Sequence, residues 1–157
     1  MKKKKKVLFI SSTGGHLTQM LKLKSIFNDY NYLLITEKND VTKNLKDEFN
    51  IKYFVYCNKQ NKIKYLFVNI INAFKSIGVF IKYRPNVIVT TGANTAVPLC
   101  YLGWLFRKNV IFIESFAKRN GKTLSGKLVY PIATTFIVQW EEMLKVYPKA
   151  KYFGGIY

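Results

Sequence analysis

Val7-Leu8-Phe9-Ile10-Ser11-Ser12-Thr13-Gly14-Gly15-His16 is the stretch on which the fold turns. A short apolar run gives way to hydroxyls, then to paired glycines, then to an amphipathic pattern. That is the strand, turn and helix with which a parallel α/β sheet opens. The apolar run is bounded by turn residues and has no polar alternation, as a strand covered on both faces requires.

Working outward, the same alternation recurs. Further strands are predicted at residues 32–36, 52–56, 86–90, 110–113 and 135–138, after the first at 7–11. Helices are predicted at 16–27, 41–49, 96–106 and 123–130, with a long one over 62–82 that Pro85 ends. No internal repeat or Gly/Ser linker interrupts the pattern. The reading is an α/β, Rossmann-like, doubly wound parallel sheet: a basic segment at 1–6 and a single domain at 7–157. Right-handed crossovers then gather the loops after the strands along one carboxyl edge, where open α/β sheets bind ligands.

Composition narrows the function classes. Lys and Arg number 26 against 8 acids, a net charge of +18, and 49% of residues are hydrophobic, so the chain folds and has an anionic partner. Nucleic acid would satisfy the charge, but no RRM, KH or helix-turn-helix signature appears, and nucleic acid is not expected. Cys57 and Cys100 are far apart with no metal-ligand spacing, so reduced core residues are expected and no metal. No uninterrupted run of about 18 apolar residues is present, and no transmembrane helix is predicted. In the long helix, Ile63, Phe67, Ile70, Ile71, Phe74, Ile77 and Ile81 recur at helical spacing, with Lys62, Asn69, Asn72, Lys75 and Ser76 largely opposite. The first expectation is a crossover helix with that apolar stripe on the sheet. The alternative lays part of the stripe, or the segment around Trp104, in a membrane interface.

Three rim loops carry candidate chemistry. In the first, Gly14 and Gly15 let backbone approach a ligand, Ser12 and Thr13 offer hydroxyls, and the helix start offers free N–H groups to an anion. It matches neither G-x-G-x-x-G nor a P-loop, so it reads as a generic diphosphate cradle. His16, the single histidine, stands at that helix start, where imidazolium is disfavoured and a neutral ring can take a proton from a hydroxyl. The second loop, Thr91-Gly92-Ala93-Asn94, repeats the design, with Thr91, Gly92 and Asn94 as further diphosphate candidates or a plain helix cap. The third holds Glu114, able to bind sugar hydroxyls, orient a base, or pair with a nearby lysine. Lys118, Arg119 and Lys122 follow it and either face phosphate or are solvated.

These motifs in order resemble one family. Thr13-Gly14-Gly15-His16, Arg84-Pro85-Asn86-Val87-Ile88, Glu114-Ser115-Phe116, Leu124-Ser125-Gly126-Lys127, Phe136-Ile137-Val138-Gln139-Trp140 and Tyr147-Pro148-Lys149 are similar to capsule and exopolysaccharide proteins of the PssD, EpsE and CpsF type. Those are relatives of the protein named asparagine-linked glycosylation fourteen. The resemblance covers nearly the whole chain from Val7 onward and implies the amino-terminal half of a GT-B glycosyltransferase split into two polypeptides. It implies the acceptor-binding subunit, with a separate partner holding the nucleotide sugar and no cofactor of its own. The acceptor it implies is an undecaprenyl-diphosphate-linked sugar, with His16 as base and Glu114 assisting. Its location would be peripheral, on the cytoplasmic face of the membrane. Two departures stand out: the second turn has fewer glycines than single-chain relatives of the MurG type, and a lysine run replaces a transmembrane anchor. Ile156 and Tyr157, at an apolar tail where a single-chain enzyme would continue into its donor domain, are expected to contact the partner. A non-catalytic scaffold that activates a partner is the rival reading.

Overall fold

The computed structural model describes residues 4–56, 58 and 60–156. Tyr157, Cys57 and the first lysines of the basic segment lie outside them. The sheet has seven strands: β1 (Lys6–Ile10), β2 (Asn31–Lys38), β3 (Ile51–Val55), β4 (Val87–Thr90), β5 (Asn109–Ile113), β6 (Thr135–Val138) and β7 (Lys151–Tyr152). Their order is β3-β2-β1-β4-β5-β6-β7 and every pair is parallel. The helices are α1 (Gly15–Leu21), α2 (Lys62–Tyr83), α3 (Val97–Leu105) and α4 (Leu124–Val129).

Period-two alternation sends side chains to opposite layers. Leu8 and Ile10 of β1 join Leu33, Ile35, Phe54 and Ile88 beneath Val79 and Phe80 of α2 and Leu99 of α3. Val7 and Phe9 point the other way, into a layer closed by Met20 and Phe27. Beyond β4, Val110, Phe112, Phe136 and Val138 pack under Cys100, Val129, Met143 and Tyr147. The chain winds outward from β1 in both directions, so the crossovers on its two sides leave from neighbouring strands. α1 departs to one face and α3 to the other, and a crevice opens at that switch point.

The observed elements depart from expectation in four places. The helix expected at 16–27 stops at Leu21, and a 3-10 turn at Lys24–Asp29 continues it. The tighter turn seats Phe27 over Phe9, ring centroids 4.3 Å apart. The helix expected at 41–49 reduces to turns and Leu45–Asp47, because Asn39 and Thr42 take up local backbone groups instead. A short β7 extends the sheet beyond the last strand expected.

The largest departure is α2. Its apolar stripe faces outward: Ile63, Phe67, Phe74 and Ile81 are exposed, while Asn72 and Ser76 are buried against the sheet. Asn72 explains the inversion. Its side-chain oxygen accepts from the Val55 N–H at 2.9 Å and its amide donates to the Val55 carbonyl at 2.9 Å, closing the end of β3. Ser76 donates back to the Asn72 carbonyl at 2.8 Å, so both inward polar groups are satisfied. By length and composition α2 is long and apolar enough to cross a membrane, although Lys64, Asn69, Asn72, Lys75 and Ser76 interrupt its apolar run. It is nevertheless pinned to the sheet through Val68, Asn72, Ser76, Val79 and Phe80.

Candidate active site

At the switch point lies a cleft of about 580 Å³. Ser12, Thr13 and His16 line it from the loop after β1, and Asn94 and Thr95 from the loop after β4. Glu37 enters from the end of β2, Tyr65 from α2, and Thr123 and Ser125 from the start of α4. Gly15 and His16 border a smaller cavity of about 340 Å³ beside it, shared with Gln19 and Phe116.

His16 is held rather than loose. Its Nδ1 lies 2.7 Å from the Thr91 carbonyl oxygen. A carbonyl can only accept, so Nδ1 carries the hydrogen and Nε2 of the neutral ring keeps its lone pair. Thr91 also donates its hydroxyl to the His16 main-chain carbonyl at 2.7 Å, which ties the loops after β1 and β4 together twice. A Cβ on Gly92 would lie 3.2 Å from His16 Cε1 and 3.3 Å from Nδ1, so only glycine leaves the ring its seat. Thr91 and Gly92 are both buried. They position the imidazole from beneath, and do not offer the open diphosphate contact expected of them.

The backbone around the cleft adopts conformations that L residues avoid. Gly14 and Gly92 have φ of 77° and 101°. Ala93, at φ 86° and ψ 154°, occupies a region that is essentially glycine's own. The second turn therefore has the shape of a glycine-rich turn although an alanine stands in it. Beyond it, the Asn94 amide donates to the Tyr65 hydroxyl at 3.0 Å. Glu37 accepts from the Thr95 hydroxyl through one carboxylate oxygen and from Thr13 at 3.5 Å through the other.

Glu114 is not in the cleft. It is buried, accepting from the Ser115 N–H at 2.8 Å, the Thr123 hydroxyl at 2.9 and 3.0 Å, and the Tyr147 hydroxyl at 2.8 Å. Burial, followed by the Glu114 carboxylate, pushes the Tyr147 hydroxyl pKa well above its ordinary value. Glu114 thus anchors Thr123, which caps α4 by accepting from the Gly126 N–H at 2.9 Å. Its expected role beside the base gives way to one in shaping the cleft wall. Arg119 pairs with Glu142 at 3.0 Å and covers Trp140, and Lys122 sits over Tyr147. Neither these two nor Lys118 lines the cleft.

Ile156 is half-buried against the second layer, its N–H donated to the Gln139 side chain at 3.0 Å. Gln139 also donates to Gln19 at 2.6 Å and to the Glu114 carbonyl at 2.8 Å. The tail is therefore stitched to α1 and to the loop after β5. Glu37 and Tyr65, with Thr123 and Ser125, are cleft residues that sequence reasoning missed. Glu37 ends a strand at the same rim as His16, and that signal was available. Tyr65 had none, because α2 brings it from a distant part of the chain.

Such a sheet, with a crevice at its switch point, has the architecture of the amino-terminal, Rossmann-like half of the GT-B fold. The chain overlays MurG of Acinetobacter baumannii with a TM-score of 0.74 at 14% identity, covering 96% of this chain and 45% of that one. It overlays a UDP-N-acetylglucosamine 2-epimerase of Rickettsia bellii with a TM-score of 0.70 at 15% identity, covering 98% of this chain and 45% of that one. It thus spans less than half of either neighbour's length, and these likenesses speak for the fold. Residues 7–156 match the family described as "Oligosaccharide biosynthesis protein Alg14 like", and the chain belongs to that family. Relatives named UDP-N-acetylglucosamine transferase subunit ALG14 include one from Yarrowia lipolytica, 28% identical over 95% of this chain and 80% of its own length. The Homo sapiens relative of that name is 26% identical over 96% of this chain and 82% of its own length. The chain is accordingly a glycosyltransferase subunit.

Proposed function

We propose that this chain binds the acceptor for a two-component glycosyltransferase at the cytoplasmic face of a membrane. The acceptor is a polyprenyl-diphosphate-linked sugar, undecaprenyl in capsule or exopolysaccharide synthesis. The nucleotide sugar, a UDP-N-acetylhexosamine by analogy with the relatives' names, is held by a separate partner. The observation that carries the reading is the His16 ring fixed through Nδ1 to Thr91, with Nε2 left as proton acceptor on an open cleft.

The chemistry is a single displacement. An acceptor hydroxyl attacks the anomeric carbon, His16 Nε2 takes its proton, the bond to the nucleoside diphosphate breaks, and that diphosphate leaves with its electron pair. Glu37 and Asn94 orient sugar hydroxyls, and Ser12, Thr13 and the backbone at Gly14 and Gly15 receive the acceptor diphosphate. Ile156, which packs against the second layer, is the contact assigned to the docked partner. α2 carries the exposed Lys62, Lys64, Lys75 and Lys82 beside its outward apolar stripe and has no acid, a composition suited to an anionic membrane interface.

Reconstitution with the partner tests this. His16→Ala is expected to lower turnover about 100-fold or more, the low end of general-base effects, with partner capture intact. Turnover unchanged within twofold would leave the chain a scaffold.

A further inference from the structure

We infer that the hydrocarbon chain of the lipid acceptor leaves the cleft along a built track between α2 and α3, gripped by protein before it reaches the bilayer. This rests on the reading of the cleft as the acceptor's diphosphate-sugar site and adds where the rest of that molecule goes.

Three cavities adjoin in sequence. The cleft shares Asn94, Thr95 and Leu124 with a second cavity of about 230 Å³, which also touches Leu128 and Pro98. Pro98 is in turn a wall of a third, a groove of about 270 Å³ lined by Ala73, Ile77, Tyr101, Trp104 and Leu105. Polarity falls along this path. It begins among Ser12, Glu37 and Asn94, passes the mixed lining of the second cavity, and ends in a groove whose lining side chains are apolar or aromatic. A ligand matching that gradient is an amphiphile, with an anionic, hydroxyl-rich head and a long flexible hydrocarbon.

The groove follows from the local sequence. A Cβ on Gly103 would lie 2.8 Å from both Ile88 Cδ1 and Val110 Cγ2, so glycine lets α3 settle deep on the sheet. Ala73 gives α2 a short side chain facing it, and the larger Ile77, Trp104 and Leu105 form raised banks. Those banks are exposed by 43%, 53% and 65%, a combination that costs free energy in water and is relieved by a hydrocarbon laid between them. From Val97 to Leu105 the groove follows α3 for roughly 12 Å, room for the first few isoprene units. Continuity with the polar cleft selects the acceptor's own chain over a bilayer lipid, because a lipid bound only at the membrane needs no passage to the head site.

Calorimetry on the 157-residue chain without detergent provides the test, with inorganic diphosphate, dimethylallyl diphosphate and farnesyl diphosphate as probes. One buried methylene changes affinity roughly fourfold, so burying a third of the roughly ten added carbons makes farnesyl diphosphate bind about 100-fold tighter than dimethylallyl diphosphate. Ala73→Phe, which fills the groove, is expected to abolish that preference while leaving the two small probes and anionic vesicles bound as before. Ile77→Asp, at an exposed position, is expected to abolish that preference without overpacking and to leave the two small probes bound as before. In a Trp140→Phe background, Trp104 emission shifts to shorter wavelength with farnesyl diphosphate alone. Equal affinity for the two prenyl probes, or a preference that survives both substitutions, overturns the track while the head site stands. A parallel loss of vesicle binding in Ala73→Phe assigns the groove to bilayer lipid and also overturns it. If inorganic diphosphate fails to bind as well, the head site falls with the track.

Discussion

Gly92→Ala isolates the placement of His16. Two costs are legible in the structure. The φ of 101° is strained for any residue with a Cβ, worth about 1–2 kcal/mol of stability after the lower unfolded-state entropy of alanine is credited. The new methyl would also meet the imidazole at 3.2 and 3.3 Å with Phe112 Cζ at 3.6 Å behind it, so the ring must give by a few tenths of an ångström. That displacement lengthens the 2.7 Å bond from Nδ1 to the Thr91 carbonyl, which sets the tautomer. A base moved and freed in this way should cost about 10- to 100-fold in turnover, or about 1.4–2.8 kcal/mol of barrier. Gly121→Ala is the matched control: φ is 76° and no atom lies within 4 Å of the added Cβ. Urea unfolding and turnover of the reconstituted pair would be measured on both variants. Both are expected to lose the stability that the strain costs, Gly92→Ala somewhat more because its methyl also displaces the ring, and Gly92→Ala alone to lose activity. Equal and near-native turnover in the two would refute the claim that His16 acts as a fixed base.

Ala93→Gly should relieve strain at φ 86°, raising stability by about 1 kcal/mol in urea melts after glycine's entropic penalty, with turnover retained. Gly126→Ala should be severe, since its Cβ would lie 2.3 Å from Glu114 Oε2 and 2.4 Å from the Tyr147 hydroxyl. A loss of about 3 kcal/mol or more, or insoluble protein, is expected. Burial pushes the Cys100 thiol up to about 12 from 9.0, so the unfolded chain ionises first and stability falls as pH rises from 9.0 towards 12. Cys100→Ala should reduce the slope of that limb in urea midpoints, leaving the contributions of Tyr83, raised to about 12 by burial, and of Tyr147, raised by burial and then by the Glu114 carboxylate. Binding to anionic vesicles should weaken steeply between about 0.1 and 0.5 M salt, because the charge that drives it is solvent-exposed and screened; sedimentation at several salt concentrations checks this.

What the sequence disclosed follows from how each feature is encoded. The strands were legible because burial on both faces imposes continuous apolar runs such as 7–10 and 110–113, which few other structures tolerate. Ser12, Thr13, His16 and Asn94 were legible because topology alone brings strand ends to one rim. The same rule misplaced Glu114: it follows β5 as expected, but Thr123 and Tyr147 turn inward to bind it, and such partners from later elements leave no local mark. The orientation of α2 was illegible for a related reason. Helical spacing locates an apolar stripe but does not say what covers it. Here Asn72 and Ser76 satisfy one another and β3, which removes the usual cost of turning a polar face inward.

The placement of charge separates two tasks in the proposed reading. The chain carries a net +18, yet among the described residues lining the cleft there is no lysine or arginine, and Glu37 contributes a carboxylate. Recognition of the acceptor head then falls to neutral donors, Ser12, Thr13, Tyr65 and Asn94, and to backbone N–H groups. Such a site binds a diphosphate far more weakly than a lysine cluster would. Weak binding suffices if substrate and subunit are confined to the same surface, because confinement raises the effective concentration without any new contact. The lysines on α2, set around its exposed isoleucines and phenylalanines, supply that confinement through their attraction to anionic lipid. An apolar track for the polyprenyl chain would add affinity for acceptor and product alike, since sugar transfer leaves that chain unchanged. On this view the outward stripe of α2, costly in water, is offset at the bilayer, and the polar cleft is free to be shaped for chemistry.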